Sequence, residues 1–237
     1  MPAGNPSPIL FLHVPKTAGT ATARFLESAY PGEIFYDYGT ERDKQAARSA
    51  CPHFIRNKAS ITRHYRFIYG HFHYLKYERM LPDSAVVSLV RDPVERAVSH
   101  YYHAARYQDR EPLPQAVKVQ SGEWDLVDFT LLSGLSRGIY VDYFEGLPIR
   151  SFRHILIQEQ LRPSLMAMAR KLGLGLLESQ LAQSPDIPPV NEGAGIPLPS
   201  AVRPVTVAAR LKLREVLADD FAIYQEVVER FGSSMGS

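Results

Sequence analysis

Lys16, Thr17 and Thr20 stand close together in His13-Val14-Pro15-Lys16-Thr17-Ala18-Gly19-Thr20, which joins an apolar run to an amphipathic one. A cation, hydroxyls and exposed amides in such a turn suit an anion. The first amides of a helix have no partner within it, and the helix dipole adds positive potential there. Gly19 lets the backbone approach a phosphate closely, Thr17 and Thr20 can add hydroxyl donors, and Lys16 supplies a mobile charge. The ATP-binding P-loop reads GxxxxGK[ST], with a late lysine beside a magnesium-holding hydroxyl. Here the lysine comes early and the glycine-rich signature is absent. The pattern points to an anion-bearing nucleotide held otherwise than in a Walker site.

A second motif is Val90-Arg91-Asp92-Pro93-Val94-Glu95-Arg96-Ala97-Val98-Ser99-His100-Tyr101-Tyr102. Arg91 ends an apolar run and Ser99 follows about two helical turns later. An arginine fork and a hydroxyl so placed can hold one phosphate from two sides. Asp92 is set to be the N-cap, Pro93 the first helical residue and Glu95 the partner of a capping box.

A third segment, Tyr69-Gly70-His71-Phe72-His73, offers two histidines beyond a short apolar run. Imidazole titrates near neutrality, as a general base should. Alternation along an extended chain sets His71 and His73 on one face and Phe72 on the other.

These residues need a scaffold. Ile9 to Val14 reads as a strand buried on both faces, stopped by Pro15. A helix follows from about Gly19 to Ala29, with Ala21, Phe25 and Ala29 on its buried side. Phe67 to Tyr69, Ala85 to Val90 and, more weakly, Ile155 to Ile157 are further strands, the last leading into a helix through Lys171. A helix with Val94, Ala97, Val98, Tyr101, Tyr102 and Ala105 inward follows Asp92, and a last helix is expected from Val205 to Phe231. Ser184 to Pro204 reads as a long loop. The expected fold class is α/β: a P-loop-like three-layer fold with a central, mainly parallel sheet flanked by helices. Ligands of such sheets bind at the carboxyl ends of the strands, where all three motifs fall. One domain is expected over residues 1–237, with 232–237 a frayed end or an expression remnant.

The 237 residues are 45% hydrophobic and 22% charged, a globular composition. A formal charge of +2 gives no argument for nucleic acid or membrane as a partner. Arg56, Lys58, Arg63, His64 and Arg66 read as solvated surface. Cys51 is the single cysteine, so neither an internal disulfide nor a cysteine-rich metal site can form, and no metal is expected. No apolar stretch has membrane-spanning length. A bacterial-type cytoplasmic location is favoured, with the Golgi lumen as the alternative for a trimmed catalytic domain. Oligomeric state is not readable.

Together, in this order, the first two motifs resemble the PAPS-dependent sulfotransferases, most closely the branch with the heparan sulfate 2-O- and 6-O-sulfotransferases and bacterial relatives. The resemblance implies that Lys16, Thr17, Ala18, Gly19 and Thr20 hold the 5′-phosphosulfate of PAPS. Arg91 and Ser99 would then bind the 3′-phosphate, which remains in the product adenosine 3′,5′-bisphosphate. It also implies a base that is a histidine or a glutamate, and in the 2-O-sulfotransferases a histidine directly after glycine; that points to His71, with His73 second and Lys16 as the electrophilic partner. The acceptor it implies is a saccharide or another small hydroxyl compound. Leu172-Gly173-Leu174, Val190-Asn191, Asp220 and Tyr224 extend the likeness toward the C-terminus. Arg137 is a further candidate near nucleotide or acceptor, and Arg106, Arg110, Lys118, Arg150 and Arg153 are candidates for an anionic acceptor. His13 reads as shaping the turn, Trp124 as core, and Glu27, Asp125 and Asp128 as surface. A P-loop kinase and a non-catalytic nucleotide-binding module are the competing classes; the lysine order counts against the first and the placed histidines against the second.

Overall fold

The apolar runs become a sheet. The computed structural model describes residues 7–38, 63–78, 84–108, 111, 113–184 and 195–232. Among them the strands are β1 (Ile9–Leu12), β2 (Ile34–Asp37), β3 (Phe67–Gly70), β4 (Val86–Val90) and β5 (His154–Ile157). Their order is β2-β3-β1-β4-β5 and every pairing is parallel. The chain leaves the central β1 toward β2 and β3 on one side, then crosses to β4 and β5 on the other. The switch point lies between β1 and β4, where a crevice opens beyond the strand ends.

Both faces of the sheet are covered, so its strands are apolar throughout rather than alternating. Ile9, Phe11, Phe67, Tyr69, Val87, Leu89 and Leu156 face α1 (Gly19–Ala29), α7 (Leu161–Leu172) and α8 (Gly175–Gln183). Leu10, Leu12, Ile68, Val90, Ile155 and Ile157 face α6 (Ile139–Tyr143) and the end of the last helix. Burying each aliphatic side chain of this kind contributes about 1.5–3 kcal/mol. A third cluster packs α3 (Pro93–Ala105), α4 (Pro114–Gln120) and α5 (Leu126–Leu132) against Leu213 and Leu217. A short helix, α2 (Leu75–Glu78), follows β3.

Three expectations need correction. The strand β2 was not foreseen: it is only four residues long and half-exposed at the sheet edge. The expected helix from Val205 to Phe231 is two helices, α9 (Val207–Val216) and α10 (Ala218–Val227), hinged at Leu217 and ending in a π turn over Val228–Gly232. Burial of Leu213 and Leu217 in the helical cluster and of Val227 against the sheet redirects the chain without a proline or glycine. Asp92 does cap α3, accepting from the amides of Val94 and Glu95. Glu95 does not close the box: it pairs with Arg210, and the Asp92 amide donates to Glu159 at 2.8 Å.

Candidate functional site

The register of β1 and β3 brings the first and third motifs together. Leu12 pairs with Gly70, so His13 lies beside His71, and the His13 amide donates to the Gly70 carbonyl at 2.9 Å. Gly70 is required there, because a Cβ would fall 1.8 Å from the Asp37 carbonyl oxygen at the end of β2. The His71 Nδ1 lies 2.6 Å from the His13 carbonyl oxygen. A carbonyl can only accept, so Nδ1 carries the hydrogen and Nε2 of the neutral ring carries the lone pair.

From His13 the chain turns into α1 through two left-handed residues, Lys16 and Ala18, both at φ 69°. Neither is glycine, and such backbone strain is characteristic of functional loops. Left-handed residues within a loop turn successive amides toward one side, the geometry of an anion-binding nest. No side chain caps α1, its first turn holds no acidic residue, and its opening residues Gly19, Thr20 and Ala21 line the cavity beside Lys16. Thr17 differs from expectation. Its side chain is fully buried and its hydroxyl donates to the Val14 carbonyl at 2.7 Å, so it braces the turn and offers an anion only its amide. Gly19 is also explained differently: the atom a Cβ would meet is in the His13 ring. Burial, then His71 and Lys16, hold His13 well below the usual histidine pKa, so it is neutral.

Arg91 leaves β4 on the other side of the switch point. Its Nη1 reaches the Lys16 carbonyl at 3.5 Å, a weak contact, and its buried Nε has no hydrogen-bond partner among the described residues. A buried guanidinium nitrogen left so costs free energy unless an acceptor arrives. Ser99 is half-buried two turns along α3. Lys16, Thr20, His71, His73, Arg91 and Ser99 all line one cavity of about 1530 Å³. His73 is deeper than His71, with 2% of its surface exposed, and its Nδ1 accepts from the Leu75 amide at 3.3 Å. Phe72 points away into the core, as alternation requires.

Other candidates lie elsewhere or have structural roles. Arg137 is exposed and outside the cavity lining, although Leu135 and Ile139 belong to it. Arg106 lines the cavity while donating to the Ile196 carbonyl at 3.0 Å. Lys118 is paired with Glu123 at 2.5 Å. Arg150 and Arg153 lie before β5, at the far end of the sheet. Trp124 packs on the helical cluster, and Asp125 and Asp128 form the capping box of α5. Glu27 accepts from the Gly32 amide and the Tyr36 hydroxyl and does not line the cavity. Of the basic surface group, Arg66 pairs with Glu33 at 3.0 Å, while Arg56 and Lys58 fall outside the described residues, as do Cys51, Arg110, Val190 and Asn191. Sequence reading missed Tyr140, Arg96 and Asp220 as parts of the site's support. Among the described residues no group of three or more His, Cys, Asp or Glu is placed to hold a metal ion, and no helix is long and apolar enough to cross a membrane.

A parallel α/β sheet with a cationic loop at its switch point, leading into a helix N-terminus, has the features of an anion-binding site. The profile of the sulfotransferase family matches residues 5–123, which contain the loop, the histidine segment and the Arg91–Ser99 helix. The chain belongs to the sulfotransferase family. A sulfotransferase structure from Alicyclobacillus acidocaldarius is similar at 16% identity and a TM-score of 0.45, over 95% of this chain and 96% of that one. Mouse sulfotransferase SULT7A1 complexed with PAP is similar at 12% identity and a TM-score of 0.47, over 90% of this chain and 84% of that one. No curated protein matches the sequence.

Proposed function

We propose that the cavity takes PAPS and a saccharide acceptor together, and that His71 is the general base for transfer of the sulfuryl group. The carrying observation is the bond from His71 Nδ1 to the His13 carbonyl, at 2.6 Å. It ties the imidazole to the residue that opens the Lys16 loop and leaves Nε2 as the basic nitrogen. In this reading the loop amides, Lys16 and Thr20 hold the 5′-phosphosulfate, while Arg91 and Ser99 take the 3′-phosphate. The buried Arg91 Nε, with no partner among the described residues, supports an anionic ligand on that side. A volume of about 1530 Å³ exceeds the roughly 300–1,000 Å³ usual for a single small ligand, which supports a site for donor and acceptor at once.

His71 would accept the acceptor hydroxyl proton at Nε2 as the acceptor oxygen bonds to sulfur and the bond from sulfur to the bridging phosphate oxygen breaks. Lys16 would stabilise the negative charge that gathers on the departing phosphate. Sulfate-labelled PAPS offered with a panel of saccharides, phenols and peptides tests the proposal. Label in a saccharide, lost in His71→Ala, is expected; label only in phenols or peptides would reject the saccharide assignment.

A further inference from the structure

We propose that Tyr140 is a positioning residue: its hydroxyl fixes Arg91, and through it the preference for a nucleotide bearing a 3′-phosphate. This rests on the reading of Arg91 as the ligand of that phosphate. Val90 is the last residue of β4 paired with β5, so Arg91 is the first beyond the ladder. Its backbone amide and carbonyl therefore lack strand partners. The Tyr140 hydroxyl supplies both, accepting from the Arg91 amide at 2.9 Å and donating to the Arg91 carbonyl at 2.5 Å. Tyr140 is fully buried, and burial pushes its phenol well above the usual tyrosine pKa, so it keeps the proton it donates.

Tyr140 is itself held. Asp220, 1% exposed, accepts from the Gly138 amide at 2.8 Å and from the Tyr140 amide at 2.9 Å. Arg96, also 1% exposed, donates to the Ser136 carbonyl just upstream. Two helices far apart in sequence, α3 and α10, thus clamp the segment 136–140, and that segment returns a hydroxyl to the base of Arg91. A long side chain on a fixed Cα samples fewer directions, so less freedom is lost when its fork closes on a phosphate.

The test is calorimetry on the full chain with adenosine 3′,5′-bisphosphate and with AMP, which share the 5′-phosphate. Wild type should prefer the bisphosphate and Arg91→Ala should lose that preference. Tyr140→Phe should lower it about tenfold by weakening the bisphosphate alone, the scale of one hydrogen-bonded contact. An unchanged preference, or equal weakening of both nucleotides, would overturn the inference. If Tyr140→Phe does not fold, Asp220→Asn carries the test: a few-fold loss of preference is expected, and a folded variant with full preference overturns the proposal. Retained preference in Arg91→Ala would instead remove the Arg91 reading on which the inference stands.

Discussion

Gly19 lies against His13 so closely that a Cβ would fall 1.7 Å from the His13 Nε2. The glycine at the start of α1 is therefore fixed by an imidazole from the end of β1. The ring is buried and lies tilted against the His71 ring, with centroids 4.5 Å apart, so any displacement of it reaches both the Lys16 loop and His71. Gly19→Ala should destabilise the protein by about 1–3 kcal/mol, the usual cost of overpacking. Replacing His13 by alanine in the same chain should recover part of that loss, because the clash is with the ring. Urea unfolding of the two single variants and the double gives the coupling; strictly additive losses would contradict this packing account.

The nucleotide contact gives a second prediction. Arg91→Ala should weaken adenosine 3′,5′-bisphosphate by about 2 kcal/mol or more, as expected for a charged hydrogen-bonded contact, and should barely change AMP. Calorimetry with wild type and variant measures both. Equal affinity of the wild type for the two nucleotides would leave Arg91 and Ser99 without the proposed task.

Acid sensitivity follows from the buried histidines. Burial, then Arg96, Lys16 and His103, push His100 from 6.5 down to about 3. Burial, then Lys171, push His154 from 6.5 down to about 4. The unfolded chain takes up these protons near pH 6.5 while the folded protein refuses them until the lower values, so the unfolded state binds more protons in between. Stability should thus be unaffected by these groups above neutrality and fall as pH drops from 6.5, each histidine contributing up to about 1.4 kcal/mol per pH unit. His154 lies beside Phe231, at the opposite end of its strand from the cavity. His154→Phe should reduce the loss of unfolding free energy between pH 7 and pH 5 by about 1–2 kcal/mol. Parallel stability curves for variant and wild type would show that His154 does not titrate in this way.

The parts of the molecule readable from sequence are those set by local signals. The buried strands β1 and β4 announce themselves as apolar runs, and Asp92-Pro93 marks the start of α3 by capping chemistry alone. The edge strand β2 carries only Ile34-Phe35-Tyr36-Asp37, too short and too mixed to separate from a loop. The hinge at Leu217 is invisible because helical periodicity continues across it, and only the packing of Leu213, Leu217 and Val227 breaks the axis. Tyr140 could be read as core but not as the support of Arg91, 49 residues away in sequence. Arg96 carried one usable signal: a cation set among the apolar Val94, Ala97 and Val98. Thr17 was legible as a loop residue, yet the direction of its hydroxyl toward Val14 depends on the turn itself.

The base is the remaining prediction. His71 and the Lys16 loop line one cavity, and the His71 Nδ1 bond to the His13 carbonyl directs the basic Nε2 away from the backbone. His71→Ala should lose about a hundredfold or more in turnover while binding adenosine 3′,5′-bisphosphate as wild type does. Lys16→Ala should lose turnover and also weaken that ligand, since its charge meets the anion before as well as during transfer. His73→Ala should be milder in rate, because that ring is buried and its Nδ1 is occupied by the Leu75 amide. The rate should rise with pH through one group near neutrality, where imidazole titrates. His13 and His100 are not that group, since burial holds both below the neutral range. Steady-state rates across pH, with nucleotide binding measured on each variant, make the comparison. Near-normal turnover in His71→Ala would pass the role to His73 or a carboxylate. Glu27, turned to Gly32 and Tyr36, would have to leave those partners to serve, so Glu27→Gln should leave turnover unchanged.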